Sequence, residues 1–377
     1  MLRIIAVFLM LLVWVNNVSS APQQILLGHS SAFSGTASDL GTEMRAGLKA
    51  AFAQINDNGG INGRMVRLIS LDDGYEPDKA VHNSKVLIEE KQVFALVGQV
   101  GTPTAKAALP YVIGKKVPFF APFTGAEFLR SPFSKYVINV RASYFQEMEK
   151  LVNYLVDKKG LKRIACFYQN DSYGYDGLKG LRRALEKRGM ELVSSASYER
   201  NTVAVMGAAR DIHNVQPEAV IMVGAYAACA EFVKLSKIKL DSQVVFASVS
   251  FVGTESLREA LGKYGEGVIV SQVLPNPHRS TLPLLVKYKE AMEFYQHDVK
   301  VSFTSFEGFV AGRLFGEIAR NVRGPMTREA FIKTLEEKRR FNLGGLSFDY
   351  SKDDHQGLDD VFLSWIYPEI KCIDNCD

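Results

Sequence analysis

The chain has 377 residues, 47% of them hydrophobic and 23% charged, with a formal net charge of +4. That length exceeds one typical core and predicts two lobes, while so mild and interspersed a charge gives no reason to expect a nucleic-acid partner. The four cysteines are too few for a disulfide framework.

The N-terminus carries Arg3, an apolar run from Ile4 to Val15, and Val18-Ser19-Ser20 before Ala21. These are the positive, apolar and small-residue parts of a secretory signal peptide, with cleavage expected after Ser20. The run is shorter than the roughly 20 residues a membrane span needs, and no cysteine stands at the cut site for lipid attachment.

Beyond the leader, short β runs alternate with helical runs. Ile25 to Ser30 reads as a strand, and Asp39 to Asn58 as a helix with Leu40, Met44, Leu48, Phe52 and Ile55 on one face, stopped by Gly59-Gly60. Met65 to Leu71 reads as a strand whose terminal Asp72-Asp73 serves the following turn. Pro77 to Glu90 reads as a helix, and Phe94 to Val97 and Val117 to Ala121 as strands. This alternation is the mark of a parallel sheet covered on both faces.

Two βα junctions stand out: Val97 to Thr104, and Ala121 to Glu127. Thr102 before Pro103 predicts an N-cap with proline at the first helical position, and Thr124 with Glu127 predicts a capping box. Two helix starts at neighbouring strand ends would aim free N–H groups into one crevice, where doubly wound sheets bind ligands.

After Tyr136 to Arg141 the alternation restarts. Strands are expected at Arg163 to Tyr168, Leu192 to Ala196, Ala219 to Val223, Val244 to Ala247 and Gly267 to Ser271, with Gly174 to Lys187 helical. Pro275-Asn276-Pro277 marks another boundary, followed by two or three helices between Leu282 and Glu337. Gly344 to Tyr350 and Val361 to Tyr367 read as strands joined by the polar turn Ser351 to Gly357.

Cys166 and Cys229 fall in apolar patterns and read as small buried hydrophobes. Cys372 and Cys376 suit a local disulfide; a metal site with Asp374 and Asp377 is disfavoured, since no histidine is near and the spacing fits no zinc pattern. No Walker loop, HExxH or nucleophile elbow is present, and Gly59 to Gly63 follows a helix, the wrong context for phosphate. The six histidines are scattered and read as surface or capping residues. No catalytic residue, metal or cofactor is expected.

The order and spacing of Ser34-Gly35, Ile55-Asn56, Gly59 to Gly63, Asp72-Asp73, Val97 to Thr104, Pro118 to Leu129, Asp171 to Gly174 and Gly224-Ala225-Tyr226 resemble the type I periplasmic solute-binding proteins. The likeness is to their leucine/isoleucine/valine receptor branch, which serves ABC importers, and it spans nearly all of the mature chain. It implies an α/β fold of two doubly wound parallel-sheet lobes joined by a three-crossing hinge. The first lobe would comprise residues 24–141 plus 276–358, the second residues 142–275 plus 359–377. The implied partners are a small molecule in the interlobe cleft and a membrane permease, with the protein a periplasmic monomer. A ligand-sensing module reporting to a membrane sensor uses the same fold.

By position, the resemblance places a ligand carboxylate on Thr102 and the Thr124-Gly125 pair, a chemistry that suits hydroxyls and N–H groups at a helix start. Tyr173 and Tyr226 would close over the ligand from the second lobe, with Leu40, Phe123 and Phe303 beside it. The acid that pairs with the ligand ammonium in branched-chain receptors falls here on Ser250. A buried ammonium without a carboxylate is costly, so an amine-free carboxylate, an aromatic acid or an apolar molecule fits this lining at least as well, unless Glu307 or Asp171 supplies the missing charge.

Overall fold

The computed structural model describes residues 24–239, 243–279 and 281–374. The leader, with its cleavage site, and Cys376 and Asp377 lie outside the described residues.

The first sheet is five-stranded and parallel, in the order β2-β1-β3-β4-β5, from β1 (Ile25–Ser31), β2 (Val66–Asp72), β3 (Ala95–Val97), β4 (Phe119–Phe120) and β5 (Val137–Ile138). Three helices connect its strands. These are α1 (Ser38–Asp57), α2 (Pro77–Lys85) and α3 (Thr102–Gly114). α1 buries the expected face, Leu40, Met44, Leu48, Phe52 and Ile55. It stops where Gly60, at φ 76°, donates back to the Ile55 carbonyl.

The second sheet runs β14-β13-β10-β9-β8-β6-β7. Its parallel strands are β6 (Ile164–Gln169), β7 (Ser194–Tyr198), β8 (Ala219–Val223), β9 (Val245–Ser248) and β10 (Ile269–Gln272). Around it pack α4 (Tyr144–Val152), α5 (Ser172–Glu186), α6 (Met206–His213), α7 (Tyr226–Lys239) and α8 (Thr254–Leu261). Ser143 and Gln146 form a reciprocal capping box on α4, and Asp171 caps α5.

Three further helices, α9 (Pro283–Tyr295), α10 (Phe303–Arg320) and α11 (Arg328–Lys338), return to the first lobe, α9 and α10 against α1 and α11 against α10. The expected strand pair near the C-terminus is not a pair. β12 (Leu346–Asp349) instead forms a hairpin with β11 (Arg340–Leu343), whereas β13 (Phe362–Trp365) and β14 (Lys371–Cys372) add antiparallel to the second sheet beside β10. Gly344-Gly345, at φ 61° and 109°, makes the hairpin turn, and the polar stretch after Asp349 is a crossing between lobes. The chain thus changes lobe after Ile138, after Gln272 and after Asp349. The first and third crossings run side by side, with Asn139 donating to the His355 carbonyl and Gly357 to that of Asn139.

What joins the returning helices to the first lobe is contact at backbone distance. A Cβ at Gly47 would lie 1.8 Å from the Ser305 carbonyl oxygen, and one at Gly308 would lie 2.3 Å from that of Met44. α1 and α10 therefore cross through paired glycines with no room for a side chain. Gly308→Val is expected to cost about 3 kcal/mol or more, the severe end of overpacking, whereas Gly207→Ala, at an exposed position of α6 with nothing near its added Cβ, should stabilise by about 0.5 kcal/mol. Urea unfolding of both variants checks the pair; a tolerated valine at position 308 would disprove the crossing.

Candidate functional site

Thr102 and Thr124, 22 residues apart in sequence, bring their hydroxyl oxygens to 2.7 Å, both fully buried. The Tyr144 hydroxyl lies 3.2 Å from each. Gly125 makes this possible, because a Cβ there would strike the Tyr144 ring and amide at 2.6 and 2.7 Å. The local structure differs from the two expected caps. Gly101, at φ 114°, is the N-cap of α3, so Thr102 already lies inside the helix and turns its hydroxyl to its partners. No long helix follows Thr124, only a three-residue turn over Glu127–Leu129. The Thr124 hydroxyl meets Thr102 and Tyr144 and accepts from the Ala126 amide at 3.3 Å, while the Glu127 amide donates to Asp176 of the second lobe at 2.9 Å.

Aromatic rings line up across the cleft. Phe123 lies 5.5 Å from Phe251, Phe251 4.6 Å from Tyr173, and Tyr173 5.4 Å from Tyr144. The Tyr173 hydroxyl is buried without a hydrogen-bond partner, and burial pushes it well above its ordinary range.

Between these rings and the crossings sits Arg141, fully buried, its guanidinium carbon 4.9 Å from the centre of the Phe123 ring. Its Nη2 donates to Ser250 and, at 3.4 Å, to Glu147; its Nη1 faces Glu307 at 3.6 Å. Glu147 also accepts from the Ser250 amide at 2.7 Å and the Ser271 hydroxyl at 2.6 Å. Glu307 has no such support, and burial, only partly offset by Arg141, pushes its carboxyl up to about 7.

The other expected residues sit further along the lobe interface. Leu40 packs against Gly253, three residues beyond Ser250. The half-buried Tyr226 turns its hydroxyl to Ser38 and Asp39 at the start of α1, a contact between lobes rather than with the threonine pair. Phe303 opens α10, its amide donating to Glu255 at 3.2 Å. Close by, Glu43 accepts from Ser302 at 2.8 Å, and burial followed by Glu255 pushes it up to about 8.

The cleft is shut. Arg200 and Asn201 of the second lobe each reach Glu76 at 2.7 Å, Thr36 reaches Asn201 at 3.1 Å, and Gln169 reaches Tyr75 at 3.2 Å. A separate concavity of about 540 Å³ between α4, α5 and the third crossing includes Glu149, Arg183, Lys187 and Asp359 in its lining. Its acids and bases compensate one another, and it shares nothing with the threonine pair.

Sequence reasoning missed Tyr144, Phe251, Glu147 and above all Arg141, which it used only as a boundary. The available signal was a lone arginine between an apolar strand and the Ser143/Gln146 cap. Two histidines also differ from the surface reading: His29 and His355 are buried. His29 bonds the Val97 carbonyl at 2.9 Å, and burial pushes it down to about 4. Cys166 and Cys229 are free and buried, as expected, and Cys372 is disulfide-bonded. Among the described residues no cluster of three or more His, Cys, Asp or Glu could hold a metal ion, and no helix is long and apolar enough to cross a membrane.

Two sheet-and-helix lobes closing on a buried hydroxyl and aromatic cluster define the class of type I binding folds. A sequence model of the periplasmic binding protein family matches residues 24–365, and the chain belongs to that family. It is 36% identical to a possible leucine/isoleucine/valine-binding protein from Rhodopirellula baltica, with a TM-score of 0.89 over 93% of this chain and 96% of that one. It is 26% identical to Leu/Ile/Val-binding protein homolog 7 of Brucella abortus, over 94% of each. A fatty acid ABC transporter substrate-binding protein from Thermomonospora curvata shares the fold, with a TM-score of 0.84 at 18% identity over 94% of this chain and 92% of that one. Members of the family are extracytoplasmic solute-binding proteins.

The raised carboxyls have a measurable consequence. Glu43 and Glu307 hold protons more tightly folded than unfolded, so stability falls as pH rises through their folded values of about 8 and 7. His29 acts in the opposite direction only below its ordinary 6.5. The melting temperature should therefore fall between about pH 6.5 and 8.5, and less steeply in Glu307→Gln. A flat or rising profile by calorimetry would contradict the burial of these groups.

Proposed function

We propose that the protein is a periplasmic receptor, exported by cleavage of residues 1–20, that captures a small ligand between lobes formed by residues 24–141 plus 276–358 and 142–275 plus 359–377. It delivers this ligand to the permease of an ABC importer, acting as a monomer without catalysis or cofactor. The ligand is a carboxylate with an apolar or aromatic body rather than an ordinary branched-chain amino acid. The observation that carries this reading is the 2.7 Å meeting of the Thr102 and Thr124 hydroxyls beneath Tyr144 and Tyr173. These hydroxyls satisfy one another in the shut cleft and are free to turn to an anion when the lobes part. Ser250, bonded to Arg141, supplies no charge for an ammonium. The names of the Rhodopirellula and Brucella relatives support the solute-receptor role, while Ser250 argues against their amino acids.

Closure is the working step. The rim contacts of Glu76 with Arg200 and Asn201, and of Thr36 with Asn201, are polar and partly exposed, a kind worth about 0–1 kcal/mol each, so they add only a few kcal/mol to the shut state. A ligand that touches both lobes adds enough to shift such an equilibrium. Tyr226, reaching Ser38 and Asp39, is one of the contacts that form on closing.

Native mass spectrometry of freshly purified protein, followed by thermal-shift screening of amino acids, aromatic acids and lipids, identifies the ligand. Thr102→Ala is expected to weaken a carboxylate ligand by about 1.5–3 kcal/mol, the range for a hydrogen bond to a charged group. Unchanged affinity in calorimetry would show that the anion lies elsewhere. Tyr226→Ala should shorten residence time with little change in association rate; a wild-type dissociation rate would remove it from closure.

A further inference from the structure

Arg141 carries more hydrogen-bonding capacity than the protein uses. A guanidinium has five N–H donors. Here Nη2 serves Ser250 and Glu147, while Nε and Nη1, buried as deeply, have no hydrogen-bond acceptor; Glu307 stands at 3.6 Å, beyond bonding distance from Nη1. Unspent buried donors are costly and rare in native proteins. A second unspent group, the Tyr173 hydroxyl, belongs to the same ring cluster. Phe123 links the two, 4.9 Å from the guanidinium carbon and 5.5 Å from Phe251, which in turn lies 4.6 Å from Tyr173. Polar capacity thus remains at both ends of an aromatic wall.

The charge balance points the same way. Glu147 is occupied by Ser250, Ser271 and Arg141. Position 250 contributes a hydroxyl that accepts from the guanidinium. The remaining acid, Glu307, stands 3.6 Å from Nη1, and burial and Glu147 raise its carboxyl, with Arg141 and Arg130 opposing. A ligand ammonium would meet the guanidinium without a committed acid, whereas a carboxylate held by the Thr102 and Thr124 hydroxyls would also take up its unspent donors.

Resting on the receptor reading above, we propose that Arg141 sets the charge of the ligand, accepting an amine-free carboxylate on a planar or apolar body and rejecting the corresponding α-amino acid. Glu307 tempers it by competing for the same guanidinium.

The test is calorimetric titration of the ligand-stripped mature protein with matched probes: 3-phenylpropanoate, phenylalanine and 3-phenylpropanamide; indole-3-propanoate and tryptophan; 4-methylpentanoate and leucine. Within the set that binds, the amine-free acid should bind roughly 10- to 100-fold tighter than its amino acid or amide, the span of a charge-assisted hydrogen bond. Arg141→Lys, which keeps the charge but loses the spread donors, should weaken the acid by about tenfold. Glu307→Gln, close in shape to the protonated acid and so safe for folding, should tighten it several-fold. An amino acid that outbinds its amine-free analogue, or loss of binding in Glu307→Gln, would overturn the proposal and make Glu307 an ammonium partner. Failure of the receptor reading itself looks different: no probe of any charge would then bind the stripped protein or shift its melting temperature.

Discussion

The buried guanidinium of Arg141 is the constraint on which the interlobe region turns. It lies on the first crossing, and its partners come from three other places: Glu147 on α4, Ser250 after β9, and Glu307 on α10. Removing one partner from a buried ion pair costs about 3–5 kcal/mol, because the other charge is left uncompensated. The fold must therefore deliver α4 and α10, which belong to different lobes, to the same point. Opening that leaves this cluster intact costs least, whereas opening through it would strand a charge.

The remainder of the interface divides by chemistry. At the centre, Phe123, Phe251, Tyr173 and Tyr144 exclude water from the hydroxyls of Thr102 and Thr124. At the rim, Glu76 with Arg200 and Asn201, and Asp176 with the Glu127 amide, are directional but weak. Apolar burial supplies free energy without orientation, and polar rim contacts supply orientation with little free energy. Together they give a shut state that is well defined yet reversible, as a binding protein that must release its ligand requires.

Most of the architecture is legible in the sequence because it is periodic. The helical face from Leu40 to Ile55, the Gly59-Gly60 stop and the alternation of buried strands each follow from local spacing. What local spacing cannot encode is partnership across the chain. Nothing near Gly47 indicates that it faces Ser305, or near Leu346 that its strand pairs backward with Arg340–Leu343 rather than forward with Phe362–Trp365. The same limit governs the site. Thr102 and Thr124 could be paired because they end neighbouring strands, but the capping box expected after Thr124 does not form: its hydroxyl takes the Ala126 amide, and the Glu127 amide goes to Asp176 of the other lobe. Arg141 stayed hidden because its meaning depends on residues 250 and 307, more than a hundred positions away.

Ser250 shows why a site should be read as a set of charges rather than as a row of positions. Taken alone, a serine in place of an acid looks like a lost ammonium contact. In three dimensions its hydroxyl accepts from Arg141 and its amide is held by Glu147. A carboxylate at position 250 would have paired with the guanidinium and neutralised its charge. The neutral hydroxyl leaves Nε and Nη1 without a hydrogen-bond acceptor, and the second acid, Glu307, stands 3.6 Å from Nη1 with burial raising its carboxyl to about 7. The selectivity that follows is a property of four groups at once. Changing the ligand's charge would therefore take coordinated substitution at positions 141, 250 and 307, because these groups act as one network whose effects do not add.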